Sequence, residues 1–459
     1  MNELTFLIIA PIFAALIIGL LNRWPKMAAG LGALAAFGFW LTLKMLALPA
    51  ATGQQTADFL GQTLLFNEGG RGILLFIYAG LVLLFLLAVP FPQGRKFVPG
   101  SLAVLGLLAA ALMLRPFTYG VITLWLALAL GAIVIQEEQA GQTRAALTHL
   151  LLVSVAMPLL LLAVWLIETQ PTTLVTPVTR LALLGFVILL AGFPFHVWVT
   201  AVIRRAPPLA AVFVLGLAQL VIVVFALSFL QANPWLPRDP QFGQMVRLSG
   251  TAVLLAAGLM AVTAVQWPRF LSSLVLLNMG LILLVLPLSG RLGWETAVSL
   301  QLAQFTGLLL TAVGSLLLRC QNAAADIRPA GAPDGTAVNN RGLARRTPLS
   351  LALYLSGALA LLGLPLTLGF GPHWLALRAL AGGTAVWLPA LALFAAGLGA
   401  FALFRAVLYW LEPGEVTAVS PEPRWLQAVL TVLFLIILWF SLHPAALLNY
   451  SAHLVALFS

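Results

Sequence analysis

The sequence predicts an all-α polytopic membrane protein of about fourteen transmembrane helices, and three observations carry that reading. Of its 459 residues 62% are hydrophobic and only 8% charged, with a mean hydropathy of +1.07. A soluble domain typically carries about 25% charged residues. Apolar runs long enough to cross a hydrocarbon layer about 30 Å thick recur along the whole chain. Two of these runs are interrupted in the same apolar-Gly-apolar-Pro-apolar order, at Gly192-Phe193-Pro194-Phe195 and 171 residues further on at Gly363-Leu364-Pro365-Leu366. A proline inside a helix removes one hydrogen bond and clashes with the preceding turn, so both helices are expected to break. Matched interruptions in two halves of a membrane chain point to a transporter-type repeat. They lie five spans apart, an odd offset that reverses direction, so two inverted five-helix repeats are expected, each with one broken helix.

Taken in order, the apolar runs fall at about 4–21, 27–49, 72–90, 97–114, 118–135 and 145–167. A broken seventh follows at 178–203, then runs at about 208–231, 249–266, 270–289 and 293–319. The last three are a broken one at 348–378, then 383–409 and 424–443. The first, LTFLIIAPIFAALIIGLL, follows Glu3 rather than basic residues and lacks a clear small-residue cleavage site, so it reads as a retained span. ATGQQTADF (51–59) reads as a polar connection, and the Ala-, Gly- and Pro-rich stretch 322–348 as a flexible linker. The expected organisation is three N-terminal spans (1–96), a first inverted repeat of spans four to eight (97–231), a second of spans nine to thirteen (249–411), and a last span with a short tail (412–459). No further amphipathic helix is expected in that tail.

The net charge of +10 does not mark a nucleic-acid surface, because the 23 Lys and Arg are scattered singly or in pairs between apolar runs. They read as topology signals. Alternate loops put Arg23, Lys26, Arg95, Lys96, Arg144, Arg204, Arg205, Arg269, Arg319, Arg328, Arg341, Arg345, Arg346, Arg405 and Arg424 on the side opposite the termini, against eight on the other. Both termini are therefore expected on the outer side. The lone Cys320 rules out an internal disulfide and any cysteine-ligated iron–sulfur cluster. The five histidines show no metal-site spacing. No catalytic residue, resident metal or cofactor is expected, and the chain itself carries no electrons.

Four segments bear a resemblance. RAALTHLLLVSVAMP (144–158) is similar to the sixth span of the antiporter-like membrane subunits of complex I, a family shared with membrane-bound hydrogenases and Mrp-type antiporters. GFPFHVW (192–198), followed by Ala206-Pro207, resembles that family's signature in its broken seventh span. RFLSSLVLLNMG (269–280) has the spacing of a family segment between Arg and Gly, and GLARRTPLSL (342–351) leading into GLPLTLGF (363–370) resembles the approach to the twelfth span. In order and spacing the match covers essentially the whole chain.

The resemblance implies a proton path along a buried polar axis of one glutamate and several lysines beside the broken helices. A buried Lys or Glu has a shifted pKa, so neighbouring charges can switch it. This chain departs at each main position. The fifth-span glutamate falls on Ala129, the seventh-span lysine on Leu189, the eighth-span lysine on Gln219 and the twelfth-span lysine on His373. Retention of the fold with a damaged or replaced relay is the expectation.

The candidates for a surviving path are His373, whose imidazole titrates near neutral pH, together with Gln219, His196, Gln301 and Gln304. Gln301 and Gln304 are three apart and share a helix face. Each has a plain structural role to set beside this: backbone capping or packing for His196, interhelical bonding for the glutamines. Thr148 and His149 replace a family Lys-Tyr and receive no role. The function so implied is a non-redox membrane-arm subunit of a proton-translocating quinone oxidoreductase or related assembly in an energy-transducing, bacterial inner membrane. Its partners would be other membrane subunits and the bilayer, and its task proton translocation or scaffolding. A stand-alone cation or solute transporter, or a module of a hydrogenase- or bicarbonate-linked complex, are the alternatives.

Overall fold

The protein is described by a computed structural model covering residues 3–456, except 22, 47, 49–53, 60, 137–139, 170–174, 289, 322–342, 384 and 413–421. Glu137, Glu138 and most of the expected linker at 322–348 thus lie outside the described residues. The chain opens with α1 (Glu3–Leu20) and α2 (Pro25–Met45). The stretch that reads as a polar connection folds instead as a hairpin, β1 (Gln54–Phe59) and β2 (Gln62–Asn67), and β2 also pairs with the two-residue β3 (Leu114–Arg115). Alternation sustains it. Leu64 and Phe66 turn inward and are buried, while β1 keeps the half-exposed pattern of a strand with one solvated face.

Asn67 closes the hairpin and caps the next helix, its Oδ1 accepting from the Gly70 amide at 2.8 Å. Then follow α3 (Glu68–Ala88), α4 (Phe97–Met113), α5 (Phe117–Ile135) and α6 (Ala140–Thr169). The seventh apolar run is divided between α7 (Val175–Leu189) and α8 (Val197–Arg205). The eighth is α9 (Pro208–Val212), a π-helical turn (Phe213–Ala218) and α10 (Gln219–Ala232) in one continuous helix. After the short α11 (Trp235–Arg238) come α12 (Pro240–Thr263), α13 (Trp267–Val285) and α14 (Arg291–Cys320).

The short α15 (Leu343–Arg346) precedes a second divided run, α16 (Pro348–Leu362) and α17 (Phe370–Ala381), and then α18 (Trp387–Leu411) and α19 (Arg424–Leu442). The tail adds α20 (Ala445–Ala456), which the sequence reading lacked. It folds back on α3, α14 and α17, burying Leu454 and Val455, with the Tyr450 hydroxyl donating to the Gly72 carbonyl at 3.3 Å. Among the described residues eleven helices are long and apolar enough to cross a membrane, so this is an integral membrane protein.

The helices sort by burial. The α9–α10 span is wholly buried in its apolar window and α14 72% buried, whereas α19 is 17% and α1 and α2 33% buried. In lipid, apolar side chains gain nothing by facing one another rather than the acyl chains, so helix contacts rest on close backbone approach. Facing glycines supply it. A Cβ on Gly357 would stand 2.5 Å from the Gly307 carbonyl where α14 meets α16, and one on Gly250 3.1 Å from the Gly280 carbonyl where α12 meets α13.

Candidate functional site

Both divided runs end their first halves with the same backbone device. In the first, the Ala191 amide donates to the Ile188 carbonyl at 3.2 Å and the Gly192 amide reaches back five residues to Val187 at 2.7 Å. In the second, Gly363 donates to Ala360 at 3.1 Å and Leu364 to Leu359 at 3.2 Å. This is the paired bonding of a Schellman cap, which needs one residue in the left-handed region. Ala191 (φ +55°) and Gly363 (φ +67°) fill that place. The structural match is thus Ala191 with Gly363, one residue off the Gly192-to-Gly363 pairing that the sequence pattern suggests.

A cap of this kind leaves carbonyls of the last turn without amide partners, and in an apolar core each must be met by some donor. Buried side chains meet them. At the first break Gln219 Nε2 donates to the Leu189 carbonyl at 3.1 Å, and Trp198 Nε1 adds a second donor, at 3.3 Å, to the Ile188 carbonyl that also accepts the Ala191 amide. At the second, Asn278 Nδ2 donates to the Leu361 carbonyl at 3.3 Å, and just past the cap the half-buried Thr367 hydroxyl donates to the Leu364 carbonyl at 2.6 Å. The π turn widens the helix so that carbonyls at its centre also need outside donors. Gln301 and Gln304 reach the Leu215 carbonyl at 3.0 and 2.8 Å, and Gln301 also Gly216 at 3.1 Å.

Two of the four replaced relay positions, Leu189 and Gln219, therefore touch through a backbone–side-chain bond. An uncharged amide stands where the resemblance implies lysines. Gln301 and Gln304 lie with it, beside the eighth span, and their hydrogen bonds run there rather than to His373. Asn278, fully buried on α13, was absent from the sequence candidates although NMG in an apolar run is a signal that could have found it. Oxygen acceptors on all four amides, Gln219, Asn278, Gln301 and Gln304, are buried without a protein donor.

His373 sits near the start of α17, buried, with Nδ1 2.8 Å from the Gly369 carbonyl. The ring lies over the second cap so closely that a Cβ at Gly363 would overlap it. His196 lies in the first break but does not cap α8; its ring stacks on the exposed Phe193, centroids 5.9 Å apart. Ala129 is half-buried on α5. One residue before it, the Leu128 carbonyl is met by Nε2 of His149 at 3.1 Å. His149 is 2% exposed, packs on Trp198 at 5.2 Å and keeps Nδ1 without a protein partner. The first half of the chain thus does hold a buried titratable group, in the sixth span, to which the sequence assigned no role. Among the described residues no three His, Cys, Asp or Glu side chains gather as a metal site would need.

Fold and site together define an integral membrane protein built on paired interrupted helices whose freed carbonyls are held by buried polar side chains. The profile described as NADH:quinone oxidoreductase/Mrp antiporter, transmembrane region, matches residues 121–399, and the chain belongs to that family. Subunit N of the NADH-quinone oxidoreductase of Alkalilimnicola ehrlichii is 23% identical over 401 residues, 82% of this chain and 78% of that protein. Subunit N of Psychrobacter arcticus is 24% identical over 261 residues, which span 57% of this chain and 52% of the relative's length. The fold resembles a chain of the membrane-bound sulfane sulfur reductase, an archaeal respiratory membrane complex, with a TM-score of 0.80, 17% identity and coverage of 100% of this chain and 98% of that one.

Proposed function

We propose that this chain is an antiporter-like membrane subunit of a complex-I-type assembly, seated among other membrane subunits, in which the proton relay is degenerate and its second half depends on His373. The observation that carries the proposal is that uncharged amides hold the carbonyls at both helix breaks, one of them, Gln219, where the resemblance implies a lysine. Gln219 on Leu189 and Asn278 on Leu361 keep the interrupted helices in place without bearing charge. Their open amide oxygens suit water, which commonly satisfies buried polar atoms that lack a protein partner. Moving a bare charge through a core without a titratable group costs between about 2.5 and more than 10 kcal/mol, depending on how much water enters. His373 and His149 are the buried side chains able to take a proton beside the two breaks.

In this reading the segments 97–231 and 249–411 are inverted repeats, and the matching caps at Ala191 and Gly363 support it. The basic loops support termini on the outer side of a bacterial inner membrane, and the relatives named as NADH-quinone oxidoreductase subunits support the assembly.

Proton pumping by the reconstituted assembly tests the function. His373→Ala should abolish transport through this subunit, His149→Phe should lower it in part, and Gln219→Leu should leave it within about twofold, a difference of less than about 0.5 kcal/mol in barrier. A large loss from Gln219→Leu with assembly intact would falsify the degenerate-relay reading. No change from any of the three would leave scaffolding as the role.

A further inference from the structure

At the end of the bundle where α8 and α14 terminate, the helices enclose a cavity of about 330 Å³. Arg204, Arg205, Arg319 and Trp267 line it, with leucine, alanine and proline over much of the rest. Among the described residues no Asp or Glu lines it. The uncharged polar groups of the wall are largely committed elsewhere. Gln93 donates to the Phe91 carbonyl and accepts from the Leu209 amide, while the Thr311 and Ser315 hydroxyls donate to carbonyls of their own helix.

Donor capacity stays unspent on Arg204 and Arg319. Arg204 uses one guanidinium nitrogen on Gln266 Oε1, 3.3 Å away, which leaves further N–H groups. Arg319, exposed at the end of α14, has no carboxylate partner among the described residues. Trp267 is 2% exposed and its indole N–H meets no protein acceptor. A concave site of this size, lined by three arginines together with apolar residues, suits an anion carried on an apolar body. Arginine forks match phosphate oxygens in particular, and basic pockets between helix ends are where anionic headgroups bind membrane proteins.

We propose that this cavity binds a phosphate group, presented by an anionic phospholipid or by free phosphate at the membrane surface. The lining shares no residue with the polar side chains at the helix breaks, and its occupancy does not depend on whether those side chains carry protons.

The test is native mass spectrometry of the delipidated full chain in mild detergent, titrated with phosphatidylglycerol, phosphatidylcholine or inorganic phosphate. Wild type should retain phosphatidylglycerol over phosphatidylcholine, and Arg204→Ala with Arg319→Ala should weaken that adduct about tenfold. Ser315→Trp, which fills the cavity and leaves every charge in place, should also displace it. If the paired alanines fail to fold, wild type still decides the matter, because raising salt to about 0.5 M should weaken the adduct. Arginine-dependent binding of inorganic phosphate, in competition with the lipid or without any lipid adduct, would identify free phosphate as a source. Adducts that ignore headgroup charge, salt and both sets of variants, with no phosphate binding, would overturn the proposal.

Discussion

Gln219 shows how one side chain can hold a membrane fold in place of a charge. Its amide donor meets the Leu189 carbonyl left over by the first cap, and its oxygen stays open in a fully buried setting. Leucine at this position would leave that carbonyl unpaired in an apolar core, which costs about 1–3 kcal/mol. Thermal unfolding of purified Gln219→Leu should show the loss, and Gln219→Met, which is of similar length and has no N–H or O–H donor, should show it as well. Equal stability of both variants and wild type would mean that the bond contributes nothing. His149 makes the same point from the other side. Alone in the sequence it is one histidine in an apolar run, and only its seat at the Leu128 carbonyl, next to Ala129, makes it a candidate.

The two caps behave as equivalent elements built from unlike residues. Ala191 adopts the left-handed conformation with a Cβ, at a cost of about 1–2 kcal/mol relative to an ordinary helical residue. Gly363 adopts it freely, and the space a side chain would fill is taken by the His373 ring. The two reciprocal substitutions should therefore act in opposite directions. Ala191→Gly should be neutral or stabilise by up to about 1 kcal/mol, whereas Gly363→Ala should destabilise by about 1–3 kcal/mol and disturb His373. Unfolding of the two purified variants checks the sign. The breaks themselves were legible in the sequence because Gly and Pro two residues apart interrupt both runs at Pro194 and Pro365, whereas the single prolines Pro11 and Pro158 lie inside α1 and α6. Which residue takes the left-handed place was not, since the pattern favoured Gly192, and the choice rests on how the last turn of α7 packs.

For the molecule as a whole, the contrast between the enclosed α9–α10 span and the exposed α19 separates a core from surfaces available to lipid or to other subunits. Large apolar side chains such as Trp425, Leu435 and Trp439 are more than half exposed on α19. The orientation proposed above has its own reporter in the exposed Cys320, at the arginine-bearing end of α14. In right-side-out vesicles a membrane-impermeant maleimide should leave Cys320 unlabelled until the membrane is opened. Prompt labelling of intact vesicles would reverse the proposed sidedness.

Apolar length and its proline interruptions determined, by sequence alone, that this is a helical membrane protein and where its runs begin, because hydrocarbon thickness and the missing proline amide are local constraints. The resemblance to the antiporter-like family placed Gln219 and His373 among the residues to watch, and helical spacing added the glutamine pair of the eleventh run. The tertiary structure alone decided which carbonyl each of these meets. It put Gln301 and Gln304 on the π turn of the eighth run, brought Asn278 from α13 to the second break, and returned α20 to α3. The reason is that a broken helix orphans its carbonyls locally, but the donors that satisfy them come from spans tens of residues away, and chain packing chooses among them.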